Sequence, residues 1–487
     1  MTSTSTPTPP AAGEGHLEQR FSRLTMIGLT FGILNTWICL AGSLGIVMPS
    51  GSSVAFFYGF IFCVVCNFCL SASVGELSSI WPTAGGQYHY AFALSTEHWK
   101  LAMSFWVGWI NIAGWLTLIT TEAFFAAAAV VGSNGAYVIT PWKTYCIFLA
   151  VSAFAVALNI FGYRILNRWN EFALFWSITA CIVVSITILA TGNKTSGNFV
   201  FTNFTNTTGW SDGMAWMLGL LQSALSLIGF DAVAHMTEEM KIPQRDAPQA
   251  MVAAVGIGGT TGIVFILVML FSIVDVDTIL HTSTGAPVTE MILQATGSPA
   301  AAVVLSCALA VCFLNGTNGC VTSGSRLLWA MARDDGSPFS RFLNVPVRAI
   351  LVAAVFNILF GLLYLGPTVA FNAYCASCTI FLNLSYAIPV TLLLIQGRGL
   401  VKERRPIFYL GHIKGYIMNV IGVCFVYVTS IFFCFPGALP VDASTMSTPR
   451  DSLVQSKQFE IILGNEAPSG QRALDENKPG AEQAENL

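Results

Sequence analysis

Charge is what this sequence has least of. Asp, Glu, Lys and Arg make up 10% of its 487 residues, against roughly 25% in soluble domains. Hydrophobic residues make up 54% and the mean hydropathy is +0.67. A chain so long and so poor in charge is not a soluble globule; it reads as an all-α polytopic membrane protein whose solvent is the lipid bilayer. With 22 basic and 25 acidic residues, net −3, it lacks the basic excess that a nucleic-acid partner demands. It also lacks H-E-x-x-H, G-x-S-x-G and any clustered Asp/His pattern, which argues against a membrane enzyme. Cys63, Cys66 and Cys69 form a C-x-x-C-x-x-C run without a fourth ligand, inside an apolar stretch. They read, like Cys375 and Cys378, as small buried hydrophobes, so neither metal nor cofactor is expected. GIGGTTG (Gly256 to Gly262) lacks the lysine and the preceding strand of a phosphate loop and reads as helix packing. A secretory signal is excluded too: Glu14 and Glu18 stand where a basic segment belongs, and the apolar run that follows is too long.

What the chain does have is long apolar runs. A spanning helix needs about 20 such residues. That rule places spans near 24–47, 53–79, 100–131, 143–163, 169–190, 210–235, 249–273, 298–320, 347–365, 368–395 and 415–435. Residues 1–20 form a disordered cytosolic tail, 21–440 the membrane domain and 441–487 a polar C-terminal tail. With the N-terminus in the cytosol, sixteen of the 22 Lys and Arg residues fall on the inside. Only Lys143 and Lys194 fall outside, and four lie in the tail. That asymmetry sets the orientation. It also puts three N-x-[ST] sequons outside, at Asn193, Asn203 and Asn206, where a glycosylating secretory pathway modifies them.

The chemistry concentrates in SLIGFDAVAHMTEE, Ser226 to Glu239. Charged side chains at bilayer depth cost roughly 2.5–3.5 kcal/mol each, so Asp231 and His235 must face a cavity, a partner or an aqueous end. Gly229 beside them points to a helix interrupted at a binding site, with backbone groups of Ser226 to Phe230 free for a ligand; the alternative is that the sixth span simply leaves the bilayer here. Asp231, His235 and Glu238 or Glu239 share one helix face. This stripe is either an inner gate closing on Arg23 or Arg326, or a solvated helix end. In the first span, Gly28, Gly32, Gly42 and Gly45 accompany Asn35 and Thr36 at its centre. Helix packing and an unwound, ligand-facing segment both fit that pattern. Phe31, Trp37, Trp106, Phe230 and Tyr386 offer aromatic faces to an ammonium group, Phe230 foremost, and each is equally a packing residue. Glu122 is a carboxylate inside the apolar third span. It binds a cationic solute, carries a coupling proton or bonds a neighbouring helix. The Asn, Thr and Ser of the eighth span, CFLNGTNGCVTSGSR, suit a sodium ion or helix packing.

Three long motifs carry a resemblance. SASVGELSSIWPTAGGQYHY, which contains Glu76, is similar to the signature of the amino acid–polyamine–organocation transporters, in particular the fungal amino acid/choline permeases. GFDAVAHMTEEMKIPQRDAPQAM and SRLLWAMARDDGSPFS look like two further motifs of that family, in order and in register over about residues 21–440. The resemblance implies a five-plus-five inverted-repeat fold with the first and sixth spans broken at mid-membrane. It implies alternating-access uptake of an amino acid, 4-aminobutyrate, choline or a related amine, driven by protons or by sodium, at the plasma or vacuolar membrane. Mapped onto this chain, Phe31, Gly32, Asn35, Thr36, Trp37, Glu122, Ser226, Gly229, Phe230 and Tyr386 become the candidate solute site. Arg23, Glu76, Asp231, His235, Glu238 and Arg326 become the candidate gating or coupling set. The sequence departs from the family at Glu122, where small residues are usual, and after residue 440, where a twelfth span is expected. A transporter-like nutrient sensor and a defective permease stay open as alternatives.

Overall fold

The computed structural model describes residues 21–133, 140–162, 164–280, 282, 287–365 and 370–440. The expectations for tails 1–20 and 441–487 lie outside the described residues. Among those described, ten helices are long and apolar enough to cross a membrane. A further crossing, the sixth, is split into Asp212–Leu225 and Ala232–His235. In order the crossings are 1 (Arg23–Leu34 as half 1a, Thr36–Gly42 as half 1b), 2 (Ser52–Ile80), 3 (Lys100–Gly132), 4 (Pro141–Phe161), 5 (Leu166–Thr191) and 6 (halves 6a and 6b as above). Then follow 7 (Pro243–Ser272), 8 (Pro299–Arg333), 9 (Pro346–Gly361), 10 (Ala370–Gln396) and 11 (His412–Phe432). Helices prevail because lipid offers no partner to a backbone N–H or C=O, and only a helix satisfies both within one segment. Proline opens crossings 4, 7, 8 and 9, where its missing N–H costs nothing.

The packing carries a two-fold pattern for which the sequence gives no internal similarity. Crossing 2 lies along 7, and 3 along 8; 1 against 7 is answered by 6 against 2, and 3 against 4 by 8 against 9. Five crossings are an odd number, so the second set runs opposite to the first, which makes this an inverted repeat. Small residues close the 2–7 seam: a Cβ on Gly259 would lie 2.7 Å from Val64, and one on Gly262 2.5 Å from Phe60. Gly258, Gly259 and Gly262 of GIGGTTG are therefore packing residues, as read from the sequence, while Gly256 faces open space.

Crossing 8 is longer than expected, running to Arg333 instead of 320. Its extra turns leave the apolar layer on the face that carries residue 21, the N-terminal face. There Arg326 Nε meets Glu239 Oε1 at 3.2 Å and Arg333 Nη1 meets Glu238 Oε2 at 2.9 Å. Arg23 turns elsewhere and donates to Gln249 at 2.9 Å. Glu76 also has a different partner from the stripe. Its carboxylate takes Arg398 Nη2 at 2.8 Å and the Leu410 amide at 2.9 Å, with both side chains essentially inaccessible. This strut ties crossing 2 to the segment between crossings 10 and 11. Cys63, Cys66 and Cys69 occupy successive turns of crossing 2, the Cys63 thiol donating to the Leu220 carbonyl.

On the opposite face the three sequons differ. Asn193 is exposed, whereas Asn203 Nδ2 donates to Ser52 Oγ at 2.9 Å and Asn206 Nδ2 to the Trp210 carbonyl at 2.8 Å. A glycan on either of the latter would break a bond that holds the 5–6 loop.

Two outcomes follow. Removing one partner of a buried ion pair strands the other, at a cost of about 3–5 kcal/mol. Arg398→Met should therefore lower the melting temperature in detergent sharply, and the double variant with Glu76→Met should recover most of the loss; an additive double variant refutes the strut. Asn193→Gln should abolish the mobility shift produced by glycosidase in a eukaryotic host, with Asn203→Gln and Asn206→Gln leaving it intact.

Candidate functional site

The two broken crossings meet at the centre of the bundle. Half 1a ends at Asn35, whose backbone is left-handed (φ 48°, ψ 31°), a conformation asparagine tolerates better than most residues. The ladder is cut there. Among the described residues, no backbone amide donates to the carbonyls of Gly32, Ile33 and Leu34, and the amides of Thr36 and Trp37 have no backbone acceptor. In crossing 6 the helix stops after Leu225 and resumes at Ala232, turning through Gly229 at φ +87°. Glycine is required here twice over, since a Cβ would also lie 2.8 Å from Ile33 Cγ2. The amides of Phe230 and Asp231 make no hydrogen bond.

The halves are clipped in pairs. Thr36 Oγ1 donates to the Ser226 carbonyl at 2.9 Å and Ser43 Oγ to Gln222 Oε1 at 3.1 Å, joining 1b to 6a. At the N-terminal face the Phe21 amide donates to the Glu239 carbonyl at 3.1 Å, joining the start of 1a to the end of 6b.

Two carboxylates flank the breaks, and their surroundings differ. Asp231 is fully buried and saturated. Gln87 Nε2 (2.8 Å), Trp115 Nε1 (3.2 Å) and His235 Nε2 (3.1 Å) point at Oδ2, and the Tyr386 hydroxyl (2.6 Å) at Oδ1. Tyr386 in turn accepts the Gly229 amide at 3.1 Å, and its ring packs on Phe230 with centroids 4.6 Å apart. Asn111 holds Gln87 at 2.9 Å, and the Ala84 carbonyl faces His235 Nδ1 at 3.0 Å. Glu122, only 4% exposed, is nearly bare: Asn35 Nδ2 lies 3.3 Å from Oε2, and that amide also donates to the Cys312 carbonyl. Gly316 of crossing 8 makes room for it, since a Cβ there would sit 2.5 Å from Oε2. A Cβ on Gly229 would lie 3.6 Å from Leu118 Cδ2, and Glu122 is one turn further along crossing 3, about 6 Å.

The structure thus gathers Gly32, Asn35, Thr36, Glu122, Ser226, Gly229, Phe230, Asp231, His235 and Tyr386 around the breaks. It directs Trp37 away: its indole donates to Ser177 at 2.9 Å and meets Phe265 edge-on, towards crossings 5 and 7. Phe31 is buried within half 1a. Trp106 is 61% exposed near the N-terminal end of crossing 3. Glu238, Arg326, Arg23 and Glu76 lie towards the N-terminal face, in the pairings given above. Sequence reading missed Gln87, Asn111 and Trp115. A signal existed for two of them: Asn111, Trp115 and Glu122 recur at helical spacing on one face of crossing 3.

The amino acid permease family matches residues 21–449, and the chain belongs to that family. It is 32% identical over 451 residues to a choline transporter of Saccharomyces cerevisiae, covering 90% of this chain and 79% of that one. It is 33% identical over 435 residues to a Macrophomina phaseolina protein provisionally named an amino acid/polyamine transporter, covering 87% and 96%. An amino-acid permease of Arabidopsis thaliana is 28% identical over 459 residues, covering 88% of each. The chain is an integral membrane transporter for amino acids or amines of the amino acid–polyamine–organocation group.

Three donors and the His235 ring nitrogen converge on Asp231, and an amide in its place offers one oxygen and turns two N–H groups on its neighbours. Each buried donor left unpaired costs about 1–3 kcal/mol. Asp231→Asn should lower unfolding stability in detergent by at least about 2 kcal/mol. Equal stability would show that the network does not hold the break.

Proposed function

We propose that this chain is a proton-driven importer of a cationic nitrogenous solute, a quaternary or primary amine. The observation that carries the reading is the contrast between the two buried carboxylates. Asp231 is met by four polar groups, whereas Glu122 meets one amide at 3.3 Å. A buried carboxylate so poorly paired is costly unless a cation joins it. The free carbonyls of Gly32 to Leu34 add acceptors beside it, and the rings of Phe230 and Tyr386 add faces suited to an ammonium group. The choline transporter among the relatives supports the same solute class. The free amides of Thr36, Trp37, Phe230 and Asp231 favour a second reading, in which the solute also carries a carboxylate, as an amino acid does.

Transport proceeds by alternating access. Half 1a moves with 6b and half 1b with 6a, because each pair is clipped, and the break at Asn35 and Gly229 is the hinge. The N-terminal face is the cytosolic one, as the basic residues require, and it is held shut by Arg326–Glu239 and Arg333–Glu238. The plasma membrane is the expected site of action.

The experiment is uptake of labelled choline, 4-aminobutyrate and a panel of amino acids by permease-deficient yeast expressing the full chain, at acidic and neutral pH. Saturable accumulation of an amine cation that collapses with a protonophore supports the proposal, and uptake of neutral amino acids alone favours the second reading. Loss of a charge-assisted contact is worth about 1.5–3 kcal/mol, so Glu122→Gln should raise KM for the cation roughly 10- to 100-fold. An unchanged KM removes Glu122 from the solute site.

A further inference from the structure

We propose that His235 is the residue on which the transported proton rides, held as an imidazolium between Asp231 and the Ala84 carbonyl while the carrier is closed. This rests on the proton-driven reading above and names the atoms that serve it.

The argument is a count of donors and acceptors. Nδ1 of His235 lies 3.0 Å from the Ala84 carbonyl oxygen, which can only accept. Nε2 lies 3.1 Å from Asp231 Oδ2. That oxygen already accepts N–H groups from Gln87 and Trp115, neither of which can take a proton back. Oδ1 is committed as well: Tyr386 accepts the Gly229 amide and so has its own hydroxyl proton to give. A neutral imidazole has one N–H, so one of its lone pairs would be pressed against the Ala84 oxygen or the Asp231 oxygen. One further proton on the Asp231–His235 pair satisfies every contact at once, and it belongs on the imidazole, because placing it on Asp231 would give up the charge-assisted bonds from Gln87, Trp115 and Tyr386, which are about twice as strong as neutral ones. Both side chains are wholly inaccessible, so no water relieves the alternative. The other titratable groups facing the pair are the hydroxyls of Tyr386 and Tyr90 and the thiol of Cys320, none of which supplies positive charge.

The position suits a proton that must move with the protein. Asp231 and His235 belong to crossing 6. Ala84 and Gln87 belong to the turn and short helix (Gln87–Leu94) after crossing 2, and Tyr386 to crossing 10. When 6b swings away to open the N-terminal face, the ring leaves the Ala84 carbonyl and meets water. One N–H proton then passes to that water, leaving a neutral imidazole. The emptied carrier crosses back with the imidazole neutral and one ring contact unmade, and when the site opens to the opposite face the imidazole takes one proton from water there before closing on solute. No other bond forms or breaks, and each cycle moves one proton. Tyr386 connects this proton to the solute, since one hydroxyl touches both Asp231 and the backbone at the hinge.

The test uses His235→Gln in the full chain, in the same yeast, with two readouts. Counterflow, the exchange of labelled for unlabelled solute without a gradient, needs no net proton and should fall by less than concentrative uptake does. Concentrative uptake should fall at least tenfold and lose its response to external pH. Protonophore-sensitive accumulation by the variant overturns the proposal, as does joint loss of accumulation and counterflow at normal surface expression, which would mark a structural role. Failure of the proton-driven reading itself appears in the wild type, as accumulation indifferent to protonophore, and is thereby distinct. Should the variant not reach the surface, 15N-histidine spectra of the wild-type protein in nanodiscs at neutral pH decide. One histidine protected from solvent exchange should show two N–H couplings, and a single coupling overturns the assignment.

Discussion

A helix that stops halfway across a bilayer leaves N–H and C=O groups that lipid cannot satisfy, and the centre of this protein is arranged around that constraint. Two crossings stop there, at Asn35 and at Ser226 to Asp231. Two of their loose ends are taken up by neighbouring side chains: Thr36 on the Ser226 carbonyl and Tyr386 on the Gly229 amide. What stays unpaired is the set of backbone groups that can engage a solute. The breaks are therefore tolerated in proportion to the polar side chains that crossings 3, 8 and 10 bring to them.

Crossing 3 supplies the contrast that gives the site its character. Trp115 and Glu122 are seven residues apart, hence on one helix face about 10 Å apart. At one end Trp115 helps to saturate Asp231, so that charge is a fixed part of the protein. At the other, Glu122 has one long contact, to the Asn35 amide. Neither carboxylate could exchange roles with the other without rebuilding the elements around it. Asp231 is fixed by groups from the turn after crossing 2 and from crossings 3, 6 and 10, while Glu122 is fixed by the hinge residue Asn35 and by the space left at Gly316.

Much of this was legible before any coordinates. Apolar runs located the crossings within a few residues, because a bilayer imposes its own length on a helix. Gly229 beside Asp231 marked the second break, because both residues are expensive in a lipid-facing helix. Glu122 stood out for the same reason. The partners of Asp231 did not, since Gln87 and Trp115 are unremarkable until the fold brings three distant segments together. Trp37 misled, because an aromatic next to a break reads as ligand-facing while its indole is spoken for by Ser177. Crossing 8 outran its apolar stretch because Arg326 and Arg333 find carboxylates after 6b, a gain that hydropathy does not register. The repeat symmetry resides in the pairing of helices, 2 with 7 and 3 with 8, and two unrelated sets of side chains can serve the same pairing.

The ion pairs of the N-terminal face divide by burial into two mechanical kinds. Glu76 and Arg398 are inaccessible, with side-chain exposures of 0% and 1%. Parting them would strand a charge without water, so a pair of this kind resists motion. Glu238 and Arg333 keep 31% and 35% of their side-chain exposure, and Glu239 and Arg326 10% and 17%. Water already reaches Glu238–Arg333, and exposed pairs are worth about 1 kcal/mol or less, while Glu239–Arg326 is more buried and stands between the two kinds. Both pairs join the segment after 6b to crossing 8, across the seam that must open if 1a and 6b move together. A seam closed by several weak, rehydratable contacts can be opened by the free energy of one solute or one proton. A seam closed by a buried pair such as Glu76–Arg398 could not. On the alternating-access reading proposed above, this face needs its strong pair away from the seam that opens and its weaker pairs across it.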